Sequence, residues 1–131
     1  MKTKKIFSTI PLLFLLSFLL LACSQVDDIP ARTVELYYQA LVDKDQARML
    51  SLSCADWETT AILEYDGFVS VKTELVDFTC QSILQEDDFA YVTCEGAISA
   101  SYDGEIRQFT LDEQTFSVVN QGGEWLMCGY E

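Results

Sequence analysis

Cysteine is the residue type in this sequence whose spacing most clearly indicates chemistry, and Cys23 differs from the other four cysteines in its surroundings. It follows the small residue Ala22, at the end of an apolar run from Ile6 to Leu21 that three lysines precede. A basic start, an apolar run and a small residue at the cut are the features of an export signal. The sequence therefore predicts that the chain is cut after Ala22 and that Cys23 becomes its first residue.

The segment Leu20-Leu21-Ala22-Cys23 resembles the lipobox of bacterial lipoproteins, although Leu21 is bulkier than the usual residue at its position. The resemblance implies that a diacylglycerol alkylates the Cys23 thiol and that the new amino terminus is acylated. Two or three acyl chains hold a protein to a bilayer durably, whereas one does so only marginally. We therefore expect an extracytoplasmic protein that is lipid-anchored to a bacterial membrane. An ordinary secretory signal and an uncleaved membrane helix are the alternatives, but Pro11 interrupts the short run that such a helix would use.

The other cysteines could form disulfide bonds or bind a metal; they are Cys54, Cys80, Cys94 and Cys128. An even number of cysteines in a small extracytoplasmic domain is typical of disulfide bonds. Zinc sites usually contain close cysteine pairs, but 13 residues separate the nearest two here, and the chain has no histidine. We expect two disulfide bonds, no metal and no cofactor.

Acid–base catalysis would have to use a carboxylate, because histidine is absent. A buried Asp or Glu can act as a general base when burial raises its pKa. The clustered acids do not indicate such a site. Asp43 and Asp45 lack the glycine and terminal glutamate of a calcium loop, and Glu86, Asp87 and Asp88 are typical of a solvated turn.

The domain organisation and the charge follow from the predicted cut. Residues 1–22 form the signal peptide, residues 23–29 a tether, and residues 30–131 a chain long enough for one domain. All 21 acidic residues and only five basic ones follow the cut, which gives the mature chain a formal charge of −16. Such a surface repels nucleic acid, so the expected partners are the membrane, through the lipid anchor, and an unknown protein or small ligand.

Helices are predicted in the first half of the domain. Asp28 and Pro30 are typical of a helix start, and an apolar stripe then recurs until about Asp43. Asp45 can cap a second, shorter helix. A helical period continues from Trp57 through Ala61, Ile62 and Tyr65, and Asp66-Gly67 is expected to break it.

Strands are predicted in the second half, joined by short turns: Phe68–Leu84, Phe89–Ser101, Glu105–Val119 and Glu124–Tyr130. The first strand is expected to be irregular near Lys72 to Glu74. Helices followed by an antiparallel meander indicate an α+β fold, with the N-terminal helices packed on one face of a curved sheet.

A family resemblance supports this arrangement. The opening VELYYQALVDKDQARMLSL and the closing GGEWLMCGY are similar to the corresponding parts of NTF2-like domains. The resemblance implies a cystatin-like cone with a cavity between the helices and the concave sheet. In some members of the family this cavity is an active site that uses Asp, His or Tyr.

The phase of the strands predicts which cysteines meet. Cys80 lies nearly opposite Cys94 if the turn between their strands is symmetric, which leaves Cys54 to pair with Cys128. Spacing does not exclude the rival arrangement of Cys54 with Cys80 and Cys94 with Cys128.

The predicted inward strand faces carry Val, Phe, Cys, Ala and Ile, so we expect a noncatalytic binding or interaction module. The alternative is a small NTF2-like enzyme that uses a buried carboxylate in the cavity. A pocket for an apolar or sugar-like ligand could be lined by aromatic residues, although each of them also suits an ordinary core: Trp57, Tyr65, Tyr91 and Trp125.

Overall fold

A computed structural model describes residues 27–131, in which three helices precede five strands. The predicted signal peptide, Cys23 and most of the tether lie outside the described residues. Within residues 27–131, no helix combines the length and the hydropathy that a membrane crossing requires.

The helices begin where the sequence predicts them. Helix α1 spans Ile29–Val42, and the Asp28 carboxylate caps it by accepting a hydrogen bond from the Ala31 N–H. Helix α2 spans Gln46–Ser51 and is capped by Asp45 in the same way. These caps satisfy amide groups that have no partner within the helix.

Helix α3 spans Glu58–Phe68, so the prediction that Asp66-Gly67 breaks the helix and that a strand starts at Phe68 was wrong. Gly67 lies on an open face of α3, where a glycine is tolerated at a modest cost. Phe68 stays on the helix because its ring packs edge-on against Phe109, with 5.3 Å between the ring centroids.

The sheet is antiparallel and contains five strands. The strands are β1 (Lys72–Glu86), β2 (Phe89–Tyr102), β3 (Glu105–Thr110), β4 (Thr115–Gln121) and β5 (Glu124–Tyr130). Their order is β1-β2-β4-β5, and β3 also pairs with β2. The predicted single strand Glu105–Val119 is therefore two strands, because β4 pairs with the first half of β2 and β3 with its second half.

A β-bulge bends β1 where it crosses the middle of β2. The register shifts between Val76 and Thr79, and Asp77 has a φ of 49°. Gly96 lies opposite with a φ of 101°, and a Cβ there would come within 2.5 Å of the Val76 carbonyl oxygen. The irregularity was predicted near Lys72 to Glu74, but these residues are regular strand. The sequence pattern of β1 misplaced it because the position of the bulge depends on the backbone of β2 at Gly96.

The core lies between α1 and the sheet. Its largest fully buried side chains include Tyr37, Leu41, Met49, Phe116 and Met127. Tyr38 packs edge-on against Phe116, which joins the helix to β4. The predicted α+β fold, with helices on one face of a curved antiparallel sheet, is confirmed.

Two disulfide bonds connect these elements. Cys80 on β1 is bonded to its cross-strand partner Cys94 on β2, with 4.0 Å between their Cα atoms. Cys54, between α2 and α3, is bonded to Cys128 on β5, with a Cα–Cα distance of 5.3 Å. The structure thus has the pairing favoured by strand phase, and the rival pairing is not found.

Candidate functional site

Helix α3 turns an acidic residue toward the interior and apolar residues toward solvent. Ala61 is fully buried, and Glu64 and Phe68 follow it at the spacing of one helical face. On the opposite face Leu63 is 66% exposed and Ile62 is 38% exposed, although the sequence pattern placed Ile62 inside. The half-buried Glu64 side chain therefore faces α1 and the sheet, and it is also partly exposed to solvent.

Two other elements support this carboxylate through a chain of hydrogen bonds. The Tyr37 hydroxyl, on the buried face of α1, donates to Glu64 Oε2 at 2.5 Å. The same hydroxyl accepts a hydrogen bond from Trp57 Nε1 at 3.2 Å. The Tyr130 hydroxyl on β5 lowers the pKa of the same carboxyl, and the Tyr130 ring packs against Trp57. The Glu64 side chain is thus held by donors from both sides of the fold.

The electrostatic state of the site follows from burial. Burial raises the pKa of the Glu64 carboxyl above its ordinary value, and the hydrogen bonds from Tyr37 and Tyr130 oppose this increase. Burial, together with the charge of Glu64, raises the pKa of both tyrosine hydroxyls. At neutral pH the two phenols therefore remain protonated and keep their role as donors.

Glu64 lines a cavity of about 450 Å³ that opens to solvent. The helix side of the cavity is formed by Tyr38, Leu41 and Phe68, and the sheet side includes Phe109 and Tyr130. The lining also includes the polar residues Gln108, Thr110 and Gln114. A cavity of this volume, with apolar and polar groups in its wall, suits a small molecule.

Gln114, another residue of the cavity lining, carries an unpartnered acceptor. Gln114 lies in the connection between β3 and β4, and its Oε1 atom is buried without a hydrogen-bond partner among residues 27–131. A buried amide oxygen without a partner costs free energy, so such a group in a cavity wall suits a ligand that donates a hydrogen bond.

The four aromatic residues proposed from the sequence as a possible pocket are not among the lining residues of this cavity. Trp57 reaches the site indirectly, through Tyr37. The Tyr65 hydroxyl donates to the Lys44 carbonyl, Tyr91 packs edge-on against Phe89, and Trp125 packs against the core. Trp57, Tyr65 and Trp125 pack against the buried core, and Tyr91 is not among the residues of that core cluster.

The sequence did not predict Glu64 as a site residue, because the predicted inward strand faces carry no acids and Glu64 lies on a helix. The available signal was the spacing of Ala61, Glu64 and Phe68 on one helical face. The apolar pair Ile62 and Leu63 masked it, because a hydrophobic pattern predicts those two residues inside.

Within residues 27–131, no group of three or more side chains that commonly bind metals lies together.

Comparison with known proteins identifies the fold. No protein-family model matches the sequence, and no curated protein is similar enough to count as a relative. A protein from Shewanella frigidimarina with a provisional assignment as a ketosteroid isomerase has a TM-score of 0.57 at 14% identity, over 81% of this chain and 95% of its own. A SEC-C motif containing protein from Rhodopseudomonas palustris has a TM-score of 0.52 at 9% identity, over 80% of each chain. A variant of Rd1NTF2_05 has a TM-score of 0.46 at 8% identity, over 76% of this chain and 94% of its own. The fold is NTF2-like.

Proposed function

We propose that this NTF2-like chain is a bacterial lipoprotein, anchored outside the cytoplasm through Cys23, whose domain binds a small ligand in the cavity at Glu64. The open cavity with a half-buried carboxylate is the observation that carries the binding function. The anchor rests on the sequence before the domain.

Three features support export and anchoring. The lipobox-like segment ends at Cys23, and the preceding residues have the composition of a signal peptide. The two disulfide bonds suit an oxidising compartment. The charge of −16 on the mature chain would repel an anionic bilayer, which makes a hydrophobic anchor necessary for stable attachment.

Intact-mass analysis of the membrane fraction tests the anchor. We expect the mature chain to begin at Cys23 and to carry the added mass of a diacylglycerol and an acyl chain. A Cys23→Ser variant should lose this modification, whereas the neighbouring Ser24→Ala variant should keep it. An unmodified mature chain, or a Cys23→Ser variant that is processed and retained normally, would contradict the proposal.

Binding is favoured over catalysis by the way the donors are used. The Tyr37 proton is directed at Glu64, and Tyr37 is fully buried, so its hydroxyl cannot also contact a ligand in the cavity. Tyr130 likewise interacts with Glu64. The hydroxyls thus orient and stabilise a carboxylate, which is the arrangement of a recognition group.

An NMR screen of cationic, neutral and anionic small molecules tests binding. The amide signals of Phe68, Phe109 and Leu111 should shift together when a molecule enters the cavity. A Thr110→Trp variant, altered at the exposed cavity wall, should lose these shifts while remaining folded. Shifts that cluster on another surface, or no shifts with any molecule, would contradict a cavity function.

Proton transfer is the second candidate function, and Glu64 is the observation that favours it. A carboxylate whose pKa is raised by burial is better matched to proton abstraction near neutral pH. The structurally similar protein from Shewanella frigidimarina has a provisional assignment as a ketosteroid isomerase.

Deuterium exchange distinguishes catalysis from binding. A general base in the cavity should accelerate exchange of the α-hydrogens of a cyclic ketone such as cyclohexanone in deuterated buffer. The acceleration should disappear in Glu64→Gln and persist in Glu58→Gln, which alters the exposed start of the same helix. Exchange at the uncatalysed rate with the wild-type protein would leave ligand binding as the function of the cavity.

A further inference from the structure

We propose that the cavity recognises a small organic cation, an ammonium group on an apolar carbon skeleton. This inference rests on the proposed function of the cavity as a ligand site and specifies the class of its ligand.

The charge of the cavity wall points to a cation. Glu64 is the one charged residue among the lining residues that the structure describes. Its described hydrogen-bond partners are neutral, and no described basic side chain forms an ion pair with it. A carboxylate that faces a cavity without a basic partner is complementary to a positive charge brought by the ligand.

The basic residues of the domain are engaged or placed elsewhere. The Arg32 guanidinium pairs with Glu35 on the exposed side of α1, and Lys44 donates to the Thr73 hydroxyl. Arg107 lies over the ring of Tyr102. None of these groups is among the residues that line the cavity. Arg48 and Lys72 are also absent from the lining, so among residues 27–131 no basic side chain lies in the cavity wall with Glu64.

Gln114 supplies a second recognition group of the same polarity. Its buried Oε1 atom accepts no hydrogen bond from residues 27–131, and the side chain lines the cavity with Glu64. A carboxylate and a vacant carbonyl-type acceptor together favour a ligand with N–H donors. A protonated amine offers such donors with a positive charge, whereas an anion or a ketone offers neither.

The aromatic walls suit the rest of such a ligand. Tyr38, Phe68, Phe109 and Tyr130 line the cavity, and Phe68 and Phe109 pack edge-on at its side. The face of an aromatic ring attracts an ammonium group, and its apolar surface covers the carbon skeleton. Beyond the cavity, the net charge of the mature chain raises the local concentration of cations.

Three probes of similar size test the inference: benzylamine, which is protonated at neutral pH, neutral benzyl alcohol, and anionic benzoate. We expect NMR titration at physiological salt to show benzylamine binding in the cavity at least about tenfold more tightly than benzyl alcohol, and no binding of benzoate. Glu64→Gln should weaken benzylamine binding by about tenfold or more, and the matched Glu58→Gln variant should not.

The outcomes separate this inference from the proposed function. If benzyl alcohol or benzoate shifts the cavity signals at least as strongly as benzylamine, the cavity binds ligands but the cation inference is wrong. If Glu58→Gln weakens benzylamine binding as much as Glu64→Gln does, the effect is that of overall charge, and the inference is again wrong. If none of the probes shifts the cavity signals, the cation inference fails, and the wider screen then decides the ligand-binding function.

Discussion

Asp28 joins the start of α1 to the outer strand β1 through Ser82. Its Oδ2 atom accepts a hydrogen bond from the Ser82 N–H at 2.7 Å, and its Oδ1 atom accepts one from the Ser82 hydroxyl at 2.5 Å. Glu35, about two helical turns further along, accepts a hydrogen bond from the Cys80 N–H at 3.0 Å. Since β1 is at the edge of the sheet, these N–H groups would otherwise be free to pair with a strand of another chain. The carboxylates of Asp28, which caps α1, and of Glu35, within α1, thus protect the edge of the sheet.

Replacing Asp28 should destabilise the domain more than replacing its neighbour. Asp28→Ala removes the cap of α1 and the acceptor for Ser82, for an expected loss of about 1–2 kcal/mol in the free energy of unfolding. Asp27→Ala is the control, expected to remain within about 0.5 kcal/mol of the wild type. Urea unfolding measures both, and equal stabilities would show that the contacts of Asp28 contribute nothing.

The charge of Asp28 should make stability depend on pH in the acidic range. Burial alone would raise its pKa, but hydrogen bonds from Ser82 and Ala31 lower the pKa below the ordinary value of 3.8. Its stabilising contribution is therefore present above 3.8 and is lost as the pH falls through the folded-state pKa. The difference in stability between the wild type and Asp28→Asn should shrink over that interval. A difference that stays constant down to full protonation would contradict the assignment.

The ionised Glu64 side chain should lower the stability of the domain, whereas the ionised Asp28 side chain raises it. Burial raises its pKa in the folded state, so the folded domain holds the carboxylate proton more tightly than the unfolded chain does. Glu64→Gln should therefore increase stability at neutral pH, where the ionised side chain is costly. The gain should vanish as the pH falls below the ordinary value of 4.5, because the carboxyl is then protonated in both states. Thermal unfolding as a function of pH measures this, with Glu58→Gln as the matched control.

Alanine substitutions at two glycines should change the stability of the domain in opposite directions. Gly96→Ala places a Cβ against the backbone of the β1 bulge at a positive φ, for an expected loss of about 2–4 kcal/mol. Gly67→Ala has open space in α3 and should increase stability by up to about 1 kcal/mol. Denaturant unfolding of the two variants decides the matter; similar effects would mean that the bulge tolerates a side chain.

The disulfide bonds should contribute unequally. Cys54 and Cys128 are separated by 74 positions in the sequence, and Cys80 and Cys94 by 14. The chain-entropy model gives about 4.5 kcal/mol for the longer loop and about 3 kcal/mol for the shorter one. Paired serine substitutions, Cys54→Ser with Cys128→Ser and Cys80→Ser with Cys94→Ser, measure these contributions. A larger loss from the second pair would mean that native packing outweighs loop length.

The sequence predicted features that depend on neighbouring residues. The caps Asp28 and Asp45 follow from local hydrogen bonding, and the alternation of β1 and β2 brings Cys80 opposite Cys94. The end of α3 could not be predicted in this way. Phe68 remains helical because of its contact with Phe109, which lies 41 positions away in the sequence.

The site was less predictable than the fold for a similar reason. Glu64 becomes half-buried because Tyr37 and Tyr130, from two other elements, approach it. Local hydropathy predicts a charged residue outside and Ile62 inside. Only the packing of α3 through Ala61 reverses this orientation.

The disulfide bond between Cys54 and Cys128 makes the geometry of the site depend on whether these two cysteines have been oxidised. Cys54 lies three residues before Trp57, and Cys128 lies two residues before Tyr130, so this covalent link fixes two groups beside Glu64. A precursor still in a reducing cytoplasm would lack the link. For the exported lipoprotein proposed above, the two groups beside Glu64 would then be fixed in place only after translocation, so ligand binding would depend on oxidation of this cysteine pair.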